Sequence, residues 1–373
     1  MGQMNERLQA VIIGGGQAGL ATAHELKRRH LGDMAVLERD ERLGDQWRRR
    51  WDSLRLFTPA RHDALPGSTF PAAPESFPSK DQMADYLGDY ARDNSLPVRT
   101  GVRVLSLKRT GEAYLIETTS GSLEAGHVVV ATGYDRPKVP PFAAEIDPAI
   151  RQLHASEYRN PSQLAGDVLV VGAGTSGVEI AVEAAQAGHR TTLAGRSTGA
   201  VPPIFYAFGG RVFWFYANHV TSVRTPIGRR MKPLVLTHGA PLIRLKMTDA
   251  TAAGVQRAGR IEAVRDGVPV FEGEQRTRPE TIVWCTGFTR DYSWIHMPIV
   301  GPDGYPHHHS GVVDGQPGLY FVGLPYQTRL GSGLVGGVGR DAIAVADVIA
   351  GRLDLGRRPA RAVLAASESV ATG

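Results

Sequence analysis

Two stretches of the chain carry residues spaced for gripping a nucleotide diphosphate. Gly14, Gly16 and Gly19 satisfy G-x-G-x-x-G within AVIIGGGQAGLA at residues 10–21, and Gly172, Gly174 and Gly177 repeat the pattern 158 residues later within VLVVGAGTSGVEIA at 168–181. The first glycine permits a tight turn, the second lets a diphosphate approach the backbone, and the third lets the following helix sit against its strand. That helix aims its first N–H groups at the anion, so Gln17 and Ala18 in one copy, and Thr175 and Ser176 in the other, are expected to meet it. One match alone is weak evidence, because such turns also occur for packing. Two, each in strand–turn–helix context, are strong.

The charges that follow separate the two nucleotides. The strand Met34-Ala35-Val36-Leu37 ends at Glu38, 24 residues past Gly14, with Arg39 beside it. A carboxylate there suits the free ribose hydroxyls of FAD or NAD. After the second motif, Arg190-Thr191-Thr192-Leu193 leads to Arg196, also 24 residues past its glycine, with Ser197 and Thr198 adjoining. A guanidinium suits a 2′-phosphate, so the second site is expected to hold NADPH. The blander reading of Arg196 is a surface arginine.

These residues need a scaffold, and the rest of the chain supplies a repeated one. Val128-Val129-Val130-Ala131-Thr132-Gly133 and Ile282-Val283-Trp284-Cys285-Thr286-Gly287 are matched aliphatic strands ending in Thr-Gly. The second copy follows the second glycine unit, which predicts an insertion: an FAD-binding domain over 1–165 and 281–373, and an NADPH-binding domain over 166–280. The fold class is α/β, with two Rossmann-like dinucleotide-binding domains. Prolines 59, 66, 71, 74 and 78 forbid a long helix before residue 80, and a helical pattern returns from Lys80 to Asp93. Val102-Arg103-Val104 and Tyr114-Leu115-Ile116-Glu117 alternate like strands around the turn Thr110-Gly111. Near the end, Gly318-Leu319-Tyr320-Phe321-Val322-Gly323 reads as a buried strand, and Gly331 to Gly339, including Ser332, leads into a helix over Asp341–Ile349. That lead-in is expected to aim N–H groups at the flavin ring.

Composition narrows the classes. A chain of 373 residues with 42% apolar content fills two domains and is not disordered. The formal charge is only +5, six of the 42 basic residues are lysine, and no basic cluster interleaves with aromatics, which argues against nucleic acid. Arg48-Arg49-Arg50 and Arg357-Arg358 are expected as solvated faces or phosphate neighbours. The single cysteine, Cys285, rules out an intrachain disulfide and a CxxC dithiol and is expected as inert core, which fits a reducing cytoplasm. The apolar run after Glu6 and Arg7 is too short for a signal peptide or a membrane span.

Taken together these motifs resemble the class B flavin-dependent monooxygenases, in particular compact bacterial flavoproteins related to the plant auxin-forming flavin monooxygenases. The resemblance covers nearly the whole chain. Gly44-Asp45-Gln46-Trp47 is similar to the family's G-x-x-W beside the flavin, followed by Leu54-Arg55-Leu56-Phe57-Thr58-Pro59 and, later, Gly339-Arg340-Asp341. The resemblance implies that FAD occupies the first site and NADPH the second, and that Gln46 and Trp47 lie at the flavin. It also implies transfer of one oxygen atom from O2 to a small soft nucleophile through a C4a-peroxyflavin. Vertebrate-like members place an asparagine near that adduct, and the comparable stretch here offers Thr58. Of the fingerprint F-x-G-x-x-x-H-x-x-x-[YF]-[KR], only His154, Tyr158 and Arg159 are present, and the Baeyer–Villiger ending is absent.

Rival classes keep the same scaffold. An NADPH-dependent flavin reductase or oxidase without oxygen transfer is the alternative function. A thioredoxin-reductase-like reaction lacks its CxxC, a nucleotide sensor would not need two intact glycine motifs, and no G-x-S-x-G elbow serves hydrolysis. His307-His308-His309 lacks a completing ligand set and is expected as a loop. The aromatic segment Phe205 to Tyr216 is too broken to span a membrane. Packing or a contact in a homodimer is its first expected role, then a substrate channel, then contact with a membrane surface.

Overall fold

Short aliphatic strands separated by helices must pair in parallel, because only a crossover helix returns the chain to the same edge of a sheet. The computed structural model describes residues 6–134, 136–202, 205, 210–237 and 239–357. In chain order, β1 (Glu6–Ile13), α1 (Gln17–Arg28), β2 (Met34–Leu37), α2 (Asp45–Arg48) and α3 (Lys80–Asp93) lead to β3 (Val98–Arg99), β4 (Val104–Thr110), β5 (Ala113–Thr118) and β6 (Gly121–Val130). Next come β7 (Arg136–Pro137), β8 (Arg151–His154), β9 (Val168–Val171), α4 (Thr175–Gln186), β10 (Thr191–Ala194), α5 (Arg211–Phe215), α6 (Pro226–Thr237) and α7 (Met247–Ala252). The chain closes with β11 (Gln256–Ala258), β12 (Ile261–Arg265), β13 (Val268–Phe271), β14 (Thr281–Trp284), β15 (Phe288–Thr289), β16 (His308–His309), β17 (Val312–Val313), β18 (Leu319–Phe321) and α8 (Val335–Arg357).

Two sheets carry the architecture. The larger runs β16-β17-β18-β6-β1-β2-β3, with β5 also pairing β6 and β4 pairing β5; the smaller runs β11-β10-β9-β14-β8. Each glycine motif leaves the C-terminal end of a central strand, β1 between β6 and β2, and β9 between β14 and β10. Ligands of open parallel sheets bind at those ends. Buried β1 residues Val11, Ile12 and Ile13 lie beside Val128, Val129 and Val130 of β6 in parallel register, which brings both ends of that pair to the same level.

Several expected boundaries move. β8 and β14, which the division at residues 165 and 281 assigns to the first unit, hydrogen-bond in the smaller sheet, because Thr281–Trp284 runs parallel to Val168–Val171 on one side and to Arg151–His154 on the other. The second Thr-Gly strand therefore lies inside the smaller sheet, between β9 and β8, and not in the larger one. The last helix starts at Val335, so Gly336, Gly337 and Gly339 lie inside its opening turns. Small residues are required there: a Cβ on Gly336 would meet the His62 carbonyl oxygen at 1.8 Å and one on Gly337 the Gly331 oxygen at 2.0 Å. Residues Val102 and Arg103 lie outside β4. Arg358, Tyr206 and Phe208 lie outside the described residues. Within the aromatic segment Trp214 is buried against His62 at 5.2 Å between ring centres, whereas Phe215 is 63% exposed and stacks on His219. Among the described residues no helix is long and apolar enough to cross a membrane.

Candidate active site

The three glycines of each motif divide into turn, ligand and packing roles. Gly14 and Gly172 hold φ of +112° and +111°, the left-handed region open to glycine. A Cβ on Gly19 would lie 1.9 Å from the Gly14 carbonyl oxygen, and one on Gly177 would lie 1.7 Å from that of Gly172, so these positions serve contact between helix and strand. Gly16 and Gly174 differ. Their φ values of −79° and −84° suit any residue, and a Cβ there meets nothing within 4 Å. No packing demand among the described residues accounts for glycine at either position, and a diphosphate lying on the backbone does. Both cradles fit dinucleotides on this ground.

Around the first cradle, Gly14, Gly16, Gln17, Ala18, Glu38, Arg39, Gln46, Ala131, Thr132, Gly133 and Gly323 line a cavity of about 330 Å³. Glu38 Oε2 accepts from Gly15 N–H at 2.7 Å and Oε1 from Asp40 N–H at 2.9 Å. The carboxylate thereby pins both loops at the strand ends and keeps further lone pairs at the cavity wall. Ser332 does not reach this cavity: it is fully buried, and its Oγ accepts from Thr328 and Arg329 N–H at 3.1 Å each. Its neighbour Gly333 lines the cavity instead.

The second cradle opens a cavity of about 650 Å³ lined by Gly172, Gly174, Thr175, Ser176, Arg196, Thr198, Arg260 and Cys285, among others. Arg196 is 70% exposed and only loosely held by Glu272 at 3.4 Å. Ser197 is absent from the lining; its Oγ accepts from Gly199 N–H at 3.2 Å and closes the turn. Arg260, at the start of the β12–β13 hairpin, is a second cation on this wall that sequence spacing could not find, because no motif ties it to the glycines. Burial pushes the Cys285 thiol up to about 12, which keeps it protonated and without nucleophilic character at neutral pH.

A third cavity, of about 280 Å³, shares wall residues with both. Gln17, Gln46, Arg50 and Gly333 border it and the first, while Thr175 and Ser176 border it and the second. Trp47, Trp51, Leu54, Leu56, Phe57 and Thr58 complete much of the wall. Trp47 faces this junction and not the first cavity. The Arg50 guanidinium lies 4.8 Å from the centre of the Phe288 ring, a cation–π contact where the three cavities meet. Burial with Arg49 and Arg159 nearby holds its pKa below the usual arginine value. Thr58 Oγ1 donates to the buried Asp63 carboxyl.

The residues of the half-fingerprint brace this site from outside. His154, its pKa lowered by burial, pairs through Nε2 with the Gly287 carbonyl oxygen at 3.0 Å, and Tyr158 donates to Glu183 Oε2 at 2.8 Å. The Arg159 carbonyl accepts from Asp52 N–H at 2.7 Å, tying the cavity-lining loop to the smaller sheet's edge.

Known proteins resemble this chain in sequence and fold. The profile of the pyridine nucleotide-disulphide oxidoreductase family matches residues 11–202. An uncharacterized oxidoreductase CzcO-like of Geobacillus kaustophilus is 37% identical, over 91% of this chain and 97% of its own. The rice indole-3-pyruvate monooxygenase YUCCA1 is 30% identical, over 87% of this chain and 88% of its own. In three dimensions, a flavin-containing monooxygenase from Stenotrophomonas maltophilia superposes with a TM-score of 0.77 at 24% identity, covering 93% of this chain and 99% of that one. Relatives of this kind use FAD and NADPH, and the chain offers two cradles of dinucleotide-binding form. The chain therefore belongs to the pyridine nucleotide-disulphide oxidoreductase family and, within it, to the flavin-dependent monooxygenases.

Proposed function

We propose that the chain is an FAD-dependent, NADPH-consuming monooxygenase that places one oxygen atom of O2 on a small soft nucleophile, nitrogen- or sulfur-centred, in the cytoplasm. The observation that carries the reading is the junction cavity, which borders both nucleotide cradles at once. When bound, FAD supplies the capacity to take a hydride from the nicotinamide and to activate oxygen. The chain's own residues bind, orient and exclude water. Gly16 and Gly174 admit the diphosphates, Glu38 orients the flavin nucleotide's ribose, and Arg196 with Arg260 attracts a 2′-phosphate. Trp47, Trp51, Leu54 and Leu56 form an apolar wall that limits water at the reacting centre. Thr58 is the hydroxyl at hand for a hydrogen bond to a reacting group. In this reading the larger sheet holds FAD and the smaller, inserted sheet holds NADPH.

A second reading concerns the substrate. The rice relative is named for indole-3-pyruvate, an aromatic carboxylate, and Arg50 and Arg55 beside Trp47, Trp51 and Phe57 suit such a molecule. Anaerobic mixing of the flavin-loaded chain with NADPH or NADH tests the cofactor assignment. Bleaching of the flavin band near 450 nm, faster with NADPH at equal concentration, is expected. A chain that takes up no flavin, or that NADPH cannot reduce, contradicts it.

A further inference from the structure

Behind the cavity wall one carboxyl is only half satisfied. Thr58 lines the cavity and its hydroxyl donates to Asp63 Oδ1, while Asp63 Oδ2 is buried with no hydrogen-bond partner among the described residues. Asp63 is 1% exposed and follows the short 3-10 helix Ala60–His62, where its N–H closes on the Ala60 carbonyl at 3.0 Å. From α3, the Tyr86 phenol oxygen stands near and accepts from Leu65 N–H at 2.7 Å. His62, its sequence neighbour, lays its ring on Trp214. The α8 segment against this loop, Val335-Gly336-Gly337, is uncharged. Burial is the dominant influence on the carboxyl and holds it up at about 7, opposed only by the Thr58 hydroxyl.

We infer that Asp63 is a positioning residue that sets whether the Thr58 hydroxyl faces the cavity as a hydrogen-bond acceptor or as a donor. The inference rests on the reading above that this cavity receives the substrate. With Asp63 ionised, the Thr58 O–H is committed to Oδ1, and its lone pairs are what the cavity meets. With Asp63 neutral, the proton belongs on Oδ1, where Thr58 Oγ1 accepts it; on Oδ2 it would be a buried donor without an acceptor. Thr58 then turns its own O–H into the cavity. Loss or gain of one proton behind the wall thus inverts the polarity of the wall.

Infrared titration of the chain between pH 5 and 9, with and without FAD, reads the carboxyl directly. A neutral-carboxyl C=O band that disappears with a midpoint near 7, and that Asp63→Asn removes, is the expected result. Thr58→Val deletes the hydroxyl that favours the anion and moves the midpoint up by roughly one pH unit, whereas Thr58→Ser leaves it in place. These two variants keep the test valid if Asp63→Asn does not fold. The functional arm is the pH profile of NADPH oxidation by the FAD-loaded chain, with kcat and KM resolved. The wild type should break near pH 7, Thr58→Val should shift or lose that break, and Asp63→Asn, whose amide donates permanently to Thr58, should vary by less than about twofold from pH 6 to 8. Absence of a titrating band, or a break unchanged in Asp63→Asn, overturns the inference. A band that titrates with no break in turnover also overturns it, since Asp63 then does not act on the cavity. Electrons from NADPH that all emerge as hydrogen peroxide, with the break intact, would count against oxygen transfer and leave the role of Asp63 standing.

Discussion

Gly16→Ala and Gly19→Ala sit three residues apart in one motif and should fail in opposite ways. At Gly16 the backbone is extended, with φ −79° and ψ −174°, and the added methyl meets no atom within 4 Å. Its cost to the fold is that of a poorer helix N-cap, about 0.5–1 kcal/mol, which for a domain of this size shifts the melting temperature by roughly 1–4 °C. The methyl does occupy the diphosphate's approach. Losing one or two hydrogen bonds to a charged group, at about 1.5–3 kcal/mol each, weakens FAD binding by roughly 10-fold to more than 1,000-fold. At Gly19 the methyl would lie 1.9 Å from the Gly14 carbonyl oxygen, backbone against backbone, so α1 must move off β1. Overpacking of this kind costs at least about 3 kcal/mol and lowers the melting temperature of the flavin-free chain by roughly 6–12 °C. Differential scanning calorimetry on flavin-free protein, paired with FAD titration by quenching of its fluorescence, separates the two. If Gly16→Ala binds FAD like the wild type, or melts as low as Gly19→Ala, the division of roles within the motif is wrong.

Three further outcomes follow from the structure. Arg196→Ala should raise KM for NADPH roughly 5- to 30-fold and leave NADH nearly unchanged; the side chain's 70% exposure and the support of Arg260 keep the figure at the lower end of a charge-assisted contact. Equal weakening of both nucleotides would make Arg196 a surface residue. Asp63 has a folded-state pKa raised from 3.8 to about 7, so its contribution to stability is fully present below about pH 4 and disappears as pH rises through 7. Chemical denaturation of the wild type and Asp63→Asn at pH 4 and pH 8 should therefore differ by on the order of 3–4 kcal/mol in the direction of relative gain for the variant at pH 8. Cys285, with its thiol pushed up to about 12, should resist a thiol-titrating disulfide reagent at pH 7 in the native chain and react once unfolded.

Much of this site was legible in the sequence because its geometry is local. A strand, a tight turn and a helix set the spacing of Gly14, Gly16 and Gly19 within six residues, and the helix over Lys80–Asp93 shows itself where the prolines end; the structure adds a Ser79–Gln82 capping box at its start. The strand Met34–Leu37 carries Glu38 to its place for the same reason. What escaped was non-local. Sheet membership of β8 and β14 depends on pairing partners more than 100 residues apart, and an aliphatic Thr-Gly strand fits either sheet equally well until its register is known. Ser332 and Ser197 sit beside site residues in sequence but spend their hydroxyls on turns. Arg260 and Asp63 reach their cavity or its wall through the fold, and no spacing links them to the glycine motifs. Thr58 entered by resemblance, and its link to a half-satisfied carboxyl became visible once burial was known.

Oxygen transfer itself is measured most directly with 18O2. The FAD-loaded chain is supplied with NADPH and labelled oxygen in the presence of small thioether, amine and aromatic 2-oxo-acid probes, with NADPH consumed, hydrogen peroxide released and label in product all quantified. The account predicts one labelled oxygen atom in product for each NADPH consumed in productive turnover, with peroxide falling as a probe is accepted. NADPH oxidation that yields only peroxide, with no label in any probe, would contradict it and leave a flavin oxidase built on the same two cradles.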